Sequence, residues 1–152
     1  MTNHIIRLRK AKLSDCDNVL SWRNHSAVRE GSIHSSIITK EEHTAWFERM
    51  LRSEDTHFLI AEVNDSDPLG TLRFDINKEK AEISIYLTPN YIGKGYGLAL
   101  LEEGEQWLRR HHPPAKIIEA RILASNQRSQ KTFKNAGYEE YLALYRKELT
   151  HE

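Results

Sequence analysis

Thr88-Pro89-Asn90-Tyr91-Ile92-Gly93-Lys94-Gly95-Tyr96-Gly97-Leu98-Ala99-Leu100-Leu101 is the stretch on which the fold of this chain turns. Ahead of it, Ala81, Ile83, Ile85 and Leu87 alternate with Glu82, Ser84 and Tyr86. That period of two predicts a half-buried strand. Behind it, Leu100, Leu101, Gly104, Trp107 and Leu108 repeat at helical spacing, which predicts an amphipathic helix. Gly93, Gly95 and Gly97 therefore stand at a strand-to-helix junction. Glycine permits positive φ and close approach of a ligand to the backbone. The first helical turn adds unpaired N–H groups and a partial positive charge, and Lys94 adds a mobile cation. This is a site for a phosphate or diphosphate; the plainer alternative is a tight turn whose glycines only relieve strain. A mononucleotide loop requires Lys-Ser/Thr after its last glycine, whereas Lys94 precedes Gly95. The dinucleotide fingerprint requires G-x-G-x-x-G, and its strands would open a βαβ series. Here the preceding strands read as an antiparallel meander.

Working outward, His4 to Lys10 reads as a first strand, and Ser14 with Asp17 as a capping box for a short helix. Thr39 with Glu42 caps a second helix, whose stripe is His43, Trp46, Phe47, Met50 and Leu51. Strands follow over residues 56–63, 69–76 and 81–87. The central helix stops before Pro113-Pro114. A strand over 115–123, a helix from Ser125 or Asn126 to about Asn135, a stop at Gly137 and a last strand over 138–147 complete the chain. The order β-α-α-β-β-β-α-β-α-β predicts an α/β fold with a mixed sheet and one core, a single domain over residues 1–152.

Composition narrows the function. Lys plus Arg equals Asp plus Glu at 22 each, so no net field favours nucleic acid. No apolar run approaches the ~20 residues of a membrane span, and the first residues do not read as a signal peptide. Cys16 is the only cysteine, which suits a reducing cytoplasm. The eight histidines show no metal-ligand spacing, so no metal is expected. His111 and His112 read as a solvated helix end.

The glycine loop resembles the acyl-CoA-binding loop of the GNAT superfamily of N-acetyltransferases. That pattern is Arg/Gln-x-x-Gly-x-Gly/Ala between the fourth strand and the third helix; Gly93-Lys94-Gly95-Tyr96-Gly97 fits it, with Ile92 at the Arg/Gln position. Asn126-x-x-Ser129-x-x-x-Phe133-x-x-x-Gly137-Tyr138 is similar to the family's N-x-x-[SA]-x-x-x-[YF]-x-x-x-G-[FY] segment. The predicted element order matches the family over nearly the whole chain. The resemblance implies acetyl-CoA as cosubstrate, held by Ile92, Gly93, Lys94, Gly95, Tyr96 and Gly97 at the loop. It also implies backbone groups of about Ile85 and Leu87 on the preceding strand, with Asn126, Ser129 and Phe133 beside the pantetheine; Arg128 is a weaker candidate. Acetyl transfer to an amine needs a proton acceptor, donors for the oxyanion and an acid for the departing thiolate. Glu82 is the first candidate for the base. The family's usual acid is a tyrosine at the Phe133 position, which here has no proton to give. Tyr138 is the nearby substitute.

For the acceptor, Trp22-Arg23-Asn24-His25 with Glu41-Glu42-His43-x-x-Trp46-Phe47 looks like the N-acetyltransferases of pseudaminic acid biosynthesis. Those enzymes acetylate a UDP-linked amino sugar. The resemblance implies a nucleotide-sugar role for Trp22, Arg23, Asn24 and His43. Arg23 as a helix cap and His43 with the tryptophans as core are the structural alternatives. Rival functions are an acetyltransferase of ribosomal-protein N-termini, a non-catalytic CoA-binding module and, well behind, a nicotinamide-cofactor domain. The last strand, with Tyr141, Leu144 and Tyr145, would support a homodimer.

Overall fold

The computed structural model describes residues 5–150. Five strands form one sheet in the order β1 (Ile6–Lys10), β2 (Thr56–Val63), β3 (Asp67–Asn77), β4 (Lys80–Leu87) and β5 (Ile117–Ala120). The first four pair antiparallel; β5 pairs parallel to β4. The helices are α1 (Cys16–Asn24), α2 (Ser26–Arg29), α3 (Lys40–Arg52), α4 (Tyr96–His111) and α5 (Gln127–Asn135). This is the expected mixed α/β sheet flanked by helices, apart from the last strand. Residues 138–150 form neither helix nor strand. They have no sheet neighbour, so their apolar pattern alone does not make a ladder. His4, expected to begin β1, lies outside the described residues.

Period-two alternation sends strand side chains to two cores. On one face, Leu59, Ala61, Leu72, Phe74 and Ile83 meet Leu100, Leu101, Trp107 and Leu108 of α4 and Phe133 of α5. On the other, Phe58 and Ile60 meet Cys16 and Val19 of α1 and Phe47 of α3. This second core covers the sheet only near β2. Toward β4 the same face carries Arg73, Asp75, Glu82, Ser84 and Tyr86, and so stays polar.

One helix start differs from the sequence reading. A 3-10 turn over Leu13–Asp15 precedes α1, and the capping box joins Lys12 to Asp15 instead of Ser14 to Asp17. Asp15 wins because the Arg9 guanidinium grips both its carboxylate oxygens at 2.8 Å. The same hydrogen bonds hold its carboxyl below the usual range. Thr39 does cap α3, its hydroxyl accepting from the Glu42 N–H.

Gly70 marks a close approach of two backbones. A Cβ there would lie 2.3 Å from the Tyr86 carbonyl oxygen. Gly70→Ala is therefore expected to destabilise the fold by about 1–3 kcal/mol, measured by chemical denaturation, because β4 must shift. An unchanged midpoint would show that β4 yields freely.

At the far end of α4, His111 stacks on Trp107 at 4.2 Å and His112 buries its Nε2. His111 is exposed at the helix end, as expected, whereas His112 is half-buried. The ring of His57 from β2 lies 5.2 Å from Trp107 and 5.9 Å from His112. Burial, then the charges of His112, Lys10 and His111, lower the His57 pKa. The unfolded chain thus takes up a proton near pH 6.5 that the native ring resists. Stability should be full above about pH 6.5 and fall on acidification below it. Thermal melts at pH 7 and 5 should separate, and His57→Gln should narrow the gap; equal gaps in the two proteins would refute this.

Candidate active site

The site is built where β4 leaves its neighbour. The β4–β5 ladder runs from Lys80↔Ile117 to Ile83↔Ala120 and stops. The β3–β4 ladder continues to Gly70↔Leu87. The Thr88 N–H then donates to Leu69 O at 2.9 Å, and its hydroxyl donates to Pro68 O, pinning the end of β4 to β3. Backbone N–H groups alternate sides along a strand. With Thr88 aimed at β3, the N–H groups of Ile85 and Leu87 aim into the opening beside β5. The family resemblance implies a role for the same two residues.

The chain passes through a 3-10 turn over Pro89–Tyr91 into the glycine loop. Gly93 and Gly95 have φ of +78° and +85°, conformations that glycine reaches without strain. Gly95 is the N-cap of α4 and gives the helix no side-chain cap. A Cβ at Gly95 would meet nothing within 4 Å, so the space in front of the helix start is open. Across it, the Arg128 guanidinium lies 3.5 Å from where a Gly93 Cβ would be. Thr132 closes on Gly97 in the same way, at 3.1 Å. Hence α5 lays a cation on the loop. Lys94 stands over the Tyr91 ring at 5.8 Å, and Tyr96 meets that ring edge-on. Ile92 is half-buried at the end of the turn. Open amides, a helix start and a guanidinium suit a diphosphate.

Asn126 is engaged at both ends of its amide. Its Oδ1 accepts from the Ser129 N–H at 3.1 Å, capping α5, and its Nδ2 donates to Gly31 O. Phe133 is buried in the core. Tyr138 packs edge-to-face on Phe133 at 4.9 Å, with its hydroxyl buried and unpartnered. Burial, then Glu105, push that hydroxyl up to about 12. It lines a groove with Ala115–Ile118 at the start of β5. The opening lies at the other end of that strand, so the structure does not bring Tyr138 together with Glu82.

Glu82 sits one residue before the ladder ends, opposite Asp75 on β3 and Glu119 on β5. Arg121 pairs with it at 3.1 Å. Ser84 and Tyr86 follow on the same face. The Tyr86 hydroxyl donates to Val19 O at 3.4 Å, and burial raises its pKa to about 12. Arg73 donates to Asp75 and Ser84 and covers the Trp46 ring at 5.3 Å. Sequence reasoning did not select Tyr86, Ser84 or Arg73. Their parity with Glu82 was the available signal.

The W-R-N-H segment is largely structural. Asn24 clamps the loop after α2, donating to Ile38 O and accepting from the Ile38 N–H, both at 2.8 Å. Arg23 Nη2 donates to His34 O; Arg29 reaches Asn24 O and Ser35 O. Arg23 Nη1, however, is buried without a partner, and burial lowers its pKa. Trp22 is half-buried against the α1–α3 core. His43 is only 2 % exposed. Its Nε2 faces Cys16 O at 3.1 Å and its ring stacks on Phe47, so the structure places it in the core. Among the described residues no group of His, Cys, Asp or Glu could hold a metal, and no helix is long and apolar enough to cross a membrane.

Comparison with known proteins places this geometry. The family model described as an acetyltransferase (GNAT) domain matches residues 6–139. No curated protein matches the chain. Spermidine N-acetyltransferase from Vibrio cholerae, solved with CoA and spermine, superposes with a TM-score of 0.80 at 16% identity, over 91% of this chain and 83% of that one. Aminoglycoside acetyltransferase AAC(6')-Ib, solved with coenzyme A and kanamycin, gives 0.78 at 20% identity, over 90% and 86%. A domain from Methanocaldococcus jannaschii gives 0.78 at 23% identity, over 91% of each chain. At these identities the likeness is one of fold.

Proposed function

Because the chain belongs to the acetyltransferase (GNAT) family, and is thus an N-acetyltransferase using acetyl-CoA, we propose that its acceptor is the primary amine of a nucleotide-linked amino sugar. The observation that carries this reading is the buried, unpartnered Nη1 of Arg23, whose guanidinium interacts electrostatically with Tyr86 of β4. Among the described residues no carboxylate pairs with Arg23 or Arg29. A guanidinium buried without a counter-ion is costly, and a ligand phosphate would relieve it. Half-buried Trp22 offers an aromatic edge to a base.

Bound acetyl-CoA supplies an acyl group already activated as a thioester. The loop amides, the α4 start and Arg128 hold its diphosphate. The Ile85 and Leu87 N–H groups line the opening and are placed to polarise the acyl carbonyl. Glu82, held by Arg121, accepts the proton of the acceptor ammonium. Tyr86 stays protonated at neutral pH, as its raised pKa requires. Neither Phe133 nor Tyr138 protonates the departing thiolate in this scheme, and a thiolate leaves without that help.

A second reading has support of its own. Asp75, Glu82 and Glu119 are cross-strand neighbours in one row, and such a row suits a polycationic acceptor. The spermidine and aminoglycoside enzymes named above act on acceptors of that kind. Each of these carboxylates already has a cation within 4 Å, from Arg73, Arg121 and Lys80, which weakens it. Release of free CoA should be followed over UDP-linked 4-amino sugars, spermidine, kanamycin and N-terminal peptides. Sugar-dependent turnover, with KM raised at least tenfold by Arg23→Ala, is expected. Preferred turnover of spermidine or kanamycin would transfer the assignment to the second reading. Acetyl-CoA binding with no turnover on any acceptor would indicate a non-catalytic module.

A further inference from the structure

The glycine loop has little of its own to hold it in shape. Gly93, Gly95 and Gly97 carry no side chains, and Lys94, between the first two, is exposed. Glycine loses more conformational freedom on ordering than any other residue. A ligand that must itself order such a loop binds more weakly. Here a hold comes from outside the loop. The Tyr91 hydroxyl donates to Asp67 Oδ2. Tyr96, the first residue of α4, meets the Tyr91 ring edge-on at 5.2 Å, and Lys94 Nζ stands over the same ring at 5.8 Å. One ring, fixed by one hydrogen bond, thus meets both the helix start and the cation of the loop.

Asp67 is a firm anchor. It pairs with Val63 and closes the β2–β3 hairpin. In the turn between them Asn64 and Asp65 take φ of +52° and +75°, the left-handed region that Asn and Asp enter more readily than other residues with a side chain. The next two residues of β3 accept from Thr88, Pro68 O from its hydroxyl and Leu69 O from its N–H. The 3-10 turn over Pro89–Tyr91 is therefore tied to the start of β3 twice, through Thr88 before it and through Tyr91 at its end. The carboxylate holds the phenol proton and pushes the Tyr91 pKa up to about 12, so the bond persists across the neutral range. A phenol that donates to a carboxylate also has a more electron-rich ring, which draws a cation more strongly to its face.

We infer that Asp67 and Tyr91 are positioning residues for acetyl-CoA: the hydrogen bond between them sets the glycine loop, Lys94 and the start of α4 in place before the diphosphate arrives. Neither residue touches the reacting atoms. The inference rests on the loop's holding that diphosphate, as proposed above. It adds that part of the coenzyme affinity is set in the β2–β3 hairpin, through an element the coenzyme need not contact. An exposed hydrogen bond that only closed a turn would contribute a little to folding and leave coenzyme affinity alone.

The test compares the wild type with Tyr91→Phe, Asp67→Ala and the double variant. Tyr91→Phe keeps the ring and removes only the hydroxyl. Calorimetry should show each single variant binding acetyl-CoA roughly fivefold to tenfold more weakly, and the double variant no worse than either, because one bond is lost in all three. In the free variants ¹⁵N relaxation should show the amides of residues 92–97 loosened, and saturation with acetyl-CoA should restore their order. Circular dichroism should show the wild-type fold throughout. Wild-type affinity in Tyr91→Phe, a double variant that loses the product of both single losses, or free loop amides as rigid as those of the wild type would each overturn the inference. Gly95→Glu separates it from the reading it rests on. Full acetyl-CoA affinity in that variant would mean that the loop is not the diphosphate site, whereas lost binding there with full affinity in Tyr91→Phe would remove the Asp67–Tyr91 hold alone.

Discussion

Gly95→Glu is expected to abolish acetyl-CoA binding, by at least 100-fold in calorimetric affinity, while the protein stays folded. Both halves follow from one backbone position. Gly95 has φ +85°, where a residue with a Cβ is strained by about 1–2 kcal/mol. That is a minor part of an ordinary domain stability of about 5–15 kcal/mol. No atom of the protein opposes the Cβ of the new side chain, which meets nothing within 4 Å. An acid at a helix start even returns about 0.3–1 kcal/mol. The same carboxylate fills the space where loop amides, helix start and Arg128 converge, and it repels a diphosphate from there. Gly95→Ala, with the strain but not the charge, should bind several-fold more weakly than the wild type and far better than Gly95→Glu. Wild-type affinity in Gly95→Glu would move the coenzyme site elsewhere.

Glu82→Gln is expected to lower kcat by about 10²- to 10⁴-fold, the range for loss of a general base, with the acetyl-CoA affinity unchanged. The amide keeps the shape and loses the ability to take a proton. Glu119→Gln is the control, being Glu82's neighbour in register across β4 and β5. If only the summed negative charge of the row matters, the two substitutions will act alike and mainly raise KM for a cationic acceptor. If Glu82 takes the proton, its variant alone loses kcat, and activity should return partly at alkaline pH, where more of the free amine is present. Equal kcat in wild type and Glu82→Gln would remove Glu82 from the reaction.

Much of the architecture was legible because its causes are local. Alternation over Ala81–Leu87 and helical spacing from Leu100 to Leu108 required no knowledge of the partners these faces bury. The cap at Thr39 came from a side chain that acts on a nearby backbone group, and the stop near Gly137 from a residue free to take positive φ. The failures share a different cause. Ser14 loses its capping role to Asp15 because Arg9, on another element, holds that carboxylate. His112 was placed in solvent because nothing in its vicinity announces that β2 brings His57 beside it. The last strand was predicted from its pattern, yet a strand exists only where a neighbour completes its hydrogen bonds.

By itself the sequence determined where most of the strands and helices form, and that a glycine turn joins β4 to α4, since period, φ preference and capping are properties of contiguous residues. Tertiary structure decided what that turn faces. It opened β4 from β5, brought Arg128 to Gly93, sank His43 into the core, kept Tyr138 from Glu82 and left the arm beyond α5 in solvent. These outcomes depend on which distant surfaces meet, and the packing of whole elements sets that, not the order of neighbours along the chain.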